Sequence, residues 1–151
     1  MVSAGFRRIK NASLNWEAFL IFLYLGFTSN ANADLLLFGG NSHDDFLGCY
    51  DCSKYDSDSI CNKYGTYGSK YNSDSIWNKY GTYGSKYNSS SPWNKYSSSN
   101  DVPVLVDRSG NFYGYFTINC YRGDAFNSCR SFKDAYERFG DLDELRNAYC
   151  D

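Results

Sequence analysis

The sequence predicts a small β-rich repeat domain of short extended segments and turns, followed by a β-hairpin and a short C-terminal helical segment and stapled by disulfides. Three observations carry that prediction. Residues 53–100 state one 16-residue phrase three times, SKYDSDSICNKYGTYG, SKYNSDSIWNKYGTYG and SKYNSSSPWNKYSSSN. Two β-prone runs, Val102–Val106 and Phe112–Ile118, flank a Gly-containing turn. All six cysteines, Cys49, Cys52, Cys61, Cys120, Cys129 and Cys150, lie beyond residue 33.

Residues 1–33 have the layout of a signal peptide. Arg7, Arg8 and Lys10 make a basic start, Ala18–Phe27 is an uncharged apolar run, and Ala31-Asn32-Ala33 has the small-x-small pattern of a cleavage site. The run is too short to span a bilayer comfortably, so no stable membrane span is expected after cleavage. The predicted mature chain, 34–151, carries 12 basic and 16 acidic side chains, a formal charge of −4. Such a chain is not built to grip a polyanion, which argues against nucleic acid as a partner.

The arm 34–52 opens on Leu35–Phe38, four consecutive large apolar residues that an exposed segment would not tolerate. It is expected to form a buried strand or packed arm, ended by Gly39-Gly40-Asn41-Ser42. An even cysteine count in a small exported chain favours disulfides. Three cysteines precede or open the first copy and three follow the last, so full oxidation requires at least one bond between the groups. Two rivals attach to Cys49-x2-Cys52: a redox-active pair, for which the surrounding chain lacks a βαβ unit, and a zinc site made with His43 and Cys61.

Within 53–100 the register never slips: Ser53, Ser69 and Ser85 open the copies, each followed by Lys-Tyr. Constant spacing places corresponding residues in equivalent surroundings. Position nine (Cys61, Trp77, Trp93) and position twelve (Tyr64, Tyr80, Tyr96) are the expected inward positions. Paired glycines and many Ser and Asn residues exclude a continuous helix. They leave short extended pieces joined by turns.

The hairpin occupies 101–119, with Pro103 confining its first strand to an edge or to its own start. Alternation puts Phe112, Gly114, Phe116 and Ile118 on one face and Tyr113, Tyr115 and Thr117 on the other. Asp107, Ser109 and Asn111 alternate like calcium-loop donors, yet no glutamate follows at the required spacing, and a turn is the reading. In the Cys-containing tail, 120–151, Phe132, Ala135, Tyr136 and Phe139 mark one helix, with Ser131 as cap and Gly140 as stop. Asp141 with Glu144 opens a second, whose buried face is Leu142, Leu145 and Tyr149.

No nucleophile elbow, HExxH or phosphate-binding glycine loop is present, so the sequence offers no catalytic residue and no cofactor site. The alternative is a secreted metal-dependent or hydrolytic enzyme using the sole histidine, His43, with Asp44 and Asp45. Fourteen tyrosines in residues 34–151 point instead to a non-catalytic structural or binding module. Aromatic rings beside Ser, Asn and Asp suit glycan or protein surfaces, and Tyr67, Tyr83, Trp77 and Trp93 are the surface-binding candidates.

The run from Cys49 through Tyr96, CxxCSKYxSDSIxNKYGxYG and its continuation, followed by PVLVDxxGNFYGYFTIN, resembles a family of small exported bacterial proteins of unknown function. The likeness covers roughly residues 35–119 and carries no reaction or catalytic residue. It implies a bacterial origin, export and association with the cell envelope or exterior. A secreted or periplasmic location is expected, and the aromatic residues make cell-envelope glycan or another exported protein the expected partner.

Overall fold

A computed structural model describes residues 34–151; the expected signal segment, 1–33, lies outside the described residues. Leu35–Gly39 (β1), Asp45–Cys49 (β2), Val104–Asp107 (β3) and Phe112–Tyr115 (β4) form one antiparallel sheet in the order β2-β1-β3-β4. The apolar run at the start of the arm is therefore an internal strand, paired on both sides, with Leu37 fully buried. The sequence reading missed β2. Its alternation is hidden by a register shift opposite Leu37 and Phe38 and by Gly48, whose φ is 109°. A Cβ on Gly48 would stand 2.6 Å from that of Tyr67 and 2.9 Å from the Asp58 carbonyl oxygen, so glycine lets the first copy close against β2.

Pro103 precedes β3, consistent with a strand start. The turn to β4 is organised by Asp107, whose carboxylate accepts from the backbone N–H groups of Ser109 and Asn111 (both 2.9 Å) and from Asn111 Nδ2 (2.8 Å). These donors, Asn111 foremost, hold Asp107 below the usual carboxylate range. The expected alternation along 112–118 holds only in part. Phe112 is 54% exposed, whereas Phe116, Thr117 and Ile118 are buried in succession. A bulge opposite Leu105 and Val106 and a φ of 117° at Gly114 bend the chain, and the strand ends at Tyr115.

Residues 53–100 contain turns and bends, with one isolated bridge, Cys49 to Ser59. The expected extended pieces are absent because Ser and Asn side chains take the backbone donors that a strand ladder would need. At position seven, Ser59, Ser75 and Ser91 are buried; each hydroxyl donates to a carbonyl seven or eight residues back and accepts from the N–H two residues on. Ile60, Ile76 and Pro92 follow, then Cys61, Trp77 and Trp93 at position nine, with both indoles 1% exposed. Position twelve is a correction: Tyr64, Tyr80 and Tyr96 are 80–89% exposed.

The copies are joined through position nine. Trp77 Nε1 donates to the Ile60 carbonyl (2.7 Å) and Trp93 Nε1 to that of Ile76 (2.6 Å), while the Ile118 N–H takes the Pro92 carbonyl (2.9 Å) and completes the series. This explains why the first copy departs from tryptophan. No earlier copy offers Cys61 a carbonyl, and its side chain is bonded to Cys150 instead.

Cys129–Phe139 (α1) and Leu142–Cys150 (α2) complete the fold. α1 begins earlier than the Ser131 cap predicted, because the Cys120–Cys129 disulfide draws Cys129 inside and Ser128 takes the cap position. Gly140, with φ 68°, returns its N–H to the Tyr136 carbonyl and ends α1 as expected. Asp141 caps α2 by accepting from the N–H groups of Asp143 and Glu144. Three disulfides, Cys49–Cys52, Cys61–Cys150 and Cys120–Cys129, use every cysteine, and the second is the required link between the two groups. One core joins the sheet (Leu37, Leu47, Leu105), the copies (Ile60, Ile76, Trp77, Trp93) and the helices (Phe132, Leu142, Leu145). Among the described residues no helix is long and apolar enough to cross a membrane.

Candidate ligand-binding groove

Each copy presents two Lys-Tyr pairs, and each pair sits on a turn that its own sequence builds. At the first pair, the N–H groups of Tyr55, Tyr71 and Tyr87 donate to the hydroxyls of Ser53, Ser69 and Ser85. At the second, those of Tyr64, Tyr80 and Tyr96 donate to Asn62, Asn78 and Asn94 Oδ1, all at 3.1 Å. The same asparagines reach across the copy with Nδ2, donating to the carbonyls of Asp56, Asn72 and Asn88 at 3.1–3.2 Å. One side chain thereby fixes the spacing between the two turns. Gly84 permits the close return of the chain, since a Cβ there would lie 1.9 Å from the Asn78 carbonyl oxygen.

The result is two rows of rings, Tyr55, Tyr71 and Tyr87 in one and Tyr64, Tyr80 and Tyr96 in the other, all at least 80% exposed. Lys63, Lys79 and Lys95 stand 5.1–5.4 Å from the ring centroids of their neighbouring tyrosines. In the other row, Lys70 and Lys86 do the same.

Three adjoining clefts run between the rows and the helices. The first, 450 Å³, lies between Lys70-Tyr71 and Lys79-Tyr80 over Trp77. The second, 500 Å³, spans Lys79-Tyr80 to Lys86-Tyr87 beside Tyr136 and Leu142. The third, 590 Å³, lies between Lys86-Tyr87 and Lys95-Tyr96 over Trp93 and Ile118. Neighbours share a Lys-Tyr pair, so the clefts make one groove, and each volume suits a ring-sized ligand unit.

Charge is graded along the groove. Lys70 pairs with Asp143 (2.9 Å) in α2 and Lys54 with Asp151 (3.2 Å), the residue that follows α2. Lys86 and Lys95 have no ion-pair partner among the described residues. Burial pushes the Tyr136 hydroxyl up from its ordinary pKa, while both of those lysines draw it back down. Lys86, Lys95 and Tyr136 all line the third cleft.

The sequence candidates fall elsewhere. Trp77 and Trp93 are buried, with little more than an edge reaching the groove floor. Tyr83 is 6% exposed and donates its hydroxyl to Asp45 (2.7 Å); burial, then that carboxylate, raises its pKa. Tyr67 is half-buried and packs against Phe46 of β2 at 4.9 Å. These four rings serve the fold, and the exposed rows are the surface the sequence reading missed. The signal was present in the lysine before each tyrosine of the two rows, since a lysine is seldom buried.

The zinc alternative is corrected by the disulfides. Cys49 and Cys52 are bonded to each other and Cys61 to Cys150, so none of them is a thiolate ligand. Asp34 and Asp51 cluster with the Cys49–Cys52 pair, but Asp34 holds Arg108 (2.8 Å) and Asp51 accepts from the Leu35 N–H (2.7 Å). His43 stands 3.2 Å from the Val102 carbonyl oxygen through Nε2 and edge-on to Tyr115; Asp45 faces Tyr83 rather than the imidazole. That geometry lends the hydrolytic alternative no support. No protein-family model, curated protein or solved structure matches this chain.

Proposed function

We propose that this chain is a non-catalytic, exported binding module whose three copies act as a rack for Lys-Tyr rows that recognise glycan. The observation that carries the reading is the set of six tyrosines at 80–89% exposure, each mounted on a turn whose own Ser or Asn fixes it. Rings left in water contribute little to the core, whereas they are ready to stack on sugar faces while neighbouring hydroxyls and amides hydrogen-bond. Pre-set turns reduce the ordering cost that binding would otherwise incur. Three disulfides fit an oxidising compartment, and the expected signal segment and bacterial-family resemblance fit export to the envelope or exterior.

The test is binding of the secreted protein to a panel of neutral and acidic hexasaccharides, followed by calorimetry. The combined substitution Tyr71→Ala, Tyr80→Ala, Tyr87→Ala and Tyr96→Ala is expected to weaken the best glycan at least thirtyfold. Each stacked ring contributes about 0.5–1.5 kcal/mol, and about 1.4 kcal/mol is a factor of ten. A wild-type protein that binds no glycan, or a variant that binds as the wild type does, contradicts the proposal.

A further inference from the structure

The three copies are not equivalent in charge. Each holds two lysines, but the first has Asp56 and Asp58, the second has Asp74 alone, and the third has no acid. Copy charge therefore rises from 0 to +1 to +2 along the groove. Contacts from the end of the chain sharpen the gradient, because Asp151, just after α2, and Asp143, within it, pair with the first-row lysines of the first two copies and nothing comparable among the described residues pairs with Lys86. The third cleft is also the largest, at 590 Å³, and its walls are Tyr87, Tyr96 and Tyr136. Among the described residues Glu137 is the one acid lining it and is exposed, leaving an excess of one positive charge there, the same excess that Lys79 and Lys86 hold over Asp141 in the second cleft.

We infer that the third cleft is the subsite for an acidic sugar: a pyranose ring lies against the tyrosines while its anionic group meets Lys86 and Lys95. Resting on the glycan reading, the inference names the ligand class as an anionic polysaccharide rather than a neutral one. The continuous groove favours a polymer over an isolated small acid, because Lys86-Tyr87 joins the third cleft to the second and Lys79-Tyr80 joins the second to the first. Ammonium groups on flexible stems suit a carboxylate presented at varied angles, with no need for the fixed fork of arginine.

Tetragalacturonate and its full methyl ester separate the outcomes, since they share rings and linkage and differ in charge. The acid is expected to bind the full secreted protein at least tenfold more tightly than the ester, with affinity falling as salt rises. Lys86→Gln with Lys95→Gln is expected to bring the acid down to the level of the ester and to flatten the salt dependence. Equal binding of acid and ester by the wild-type protein overturns the acidic subsite and leaves the glycan proposal standing. Binding of neither, across the hexasaccharide panel as well, overturns both. The acid–ester comparison uses unaltered protein, so it decides the matter even if the double variant folds poorly.

Discussion

Trp93→Ala is expected to destabilise the protein by about 4 kcal/mol, the largest effect of any single substitution within the copies. Truncating a buried aromatic side chain costs about 3–5 kcal/mol. Trp93 is 1% exposed and packs on Trp77, Phe116, Phe132 and Tyr136 at centroid distances of 5.4–6.1 Å. It is therefore where the copies, the end of the hairpin and α1 meet. The Ile76 carbonyl also loses its indole donor, a further penalty of about 1 kcal/mol. Since a domain of this kind is stable by roughly 5–15 kcal/mol, the variant stands close to unfolding. Urea denaturation followed by circular dichroism measures the loss; Trp93→Phe should recover part of it by restoring packing without the Nε1 bond. A loss under about 1 kcal/mol for the alanine variant would show that the indole does not anchor the copies to α1.

Replacing Cys61 and Cys150 together by serine is expected to cost about 4–5 kcal/mol. The bond joins residues 89 apart in sequence, and chain entropy makes it the most stabilising of the three. By the same relation Cys120–Cys129, 9 apart, contributes about 3 kcal/mol. The remaining ties between the C-terminal segment and the copies include exposed pairs such as Lys54–Asp151, worth about 0–1 kcal/mol, and the buried Arg146 of α2, which donates to the Gly68 carbonyl (2.9 Å). Without the disulfide, hydrogen exchange in α2 should rise well above that of the sheet. A double variant with the wild-type melting curve and unchanged protection in α2 would contradict this.

What the sequence disclosed and what it concealed follow the same physical divide. The β3–β4 hairpin, α2 with its Asp141 cap and the Gly140 stop were legible, because each is specified by local pattern and turn chemistry. The cysteine grouping required a bond across the copies for arithmetic reasons, and Cys61–Cys150 is that bond. The copies resisted because positions seven, eight and nine, as in Ser75, Ile76 and Trp77, are buried in succession. A helix or strand with one face in water does not hide three consecutive side chains, so amphipathic periodicity finds none of the three, and only the bulk at position nine marked it as inward. Once Ser, Ile and Trp fill the inside, position twelve has no room there, and its tyrosines turn outward. The groove was equally hidden, because one wall of it is made by α1, α2 and their link, far from the copies in sequence. What sequence alone did contain was the falling aspartate count from copy to copy, which acquires meaning only when the pairs of Asp151 with Lys54 and Asp143 with Lys70 are seen.

A free binding surface requires outward rings that are separable from the structure carrying them. Urea unfolding of the variant with Tyr71, Tyr80, Tyr87 and Tyr96 replaced by alanine, with intact mass counting the disulfides, is the most direct measurement. The expected result is three disulfides and stability within about 2 kcal/mol of the wild type, since exposed substitutions usually shift stability by no more than about 0.5 kcal/mol each. A loss as large as that of Trp93→Ala would make those tyrosines part of the scaffold and contradict their role as a free binding surface.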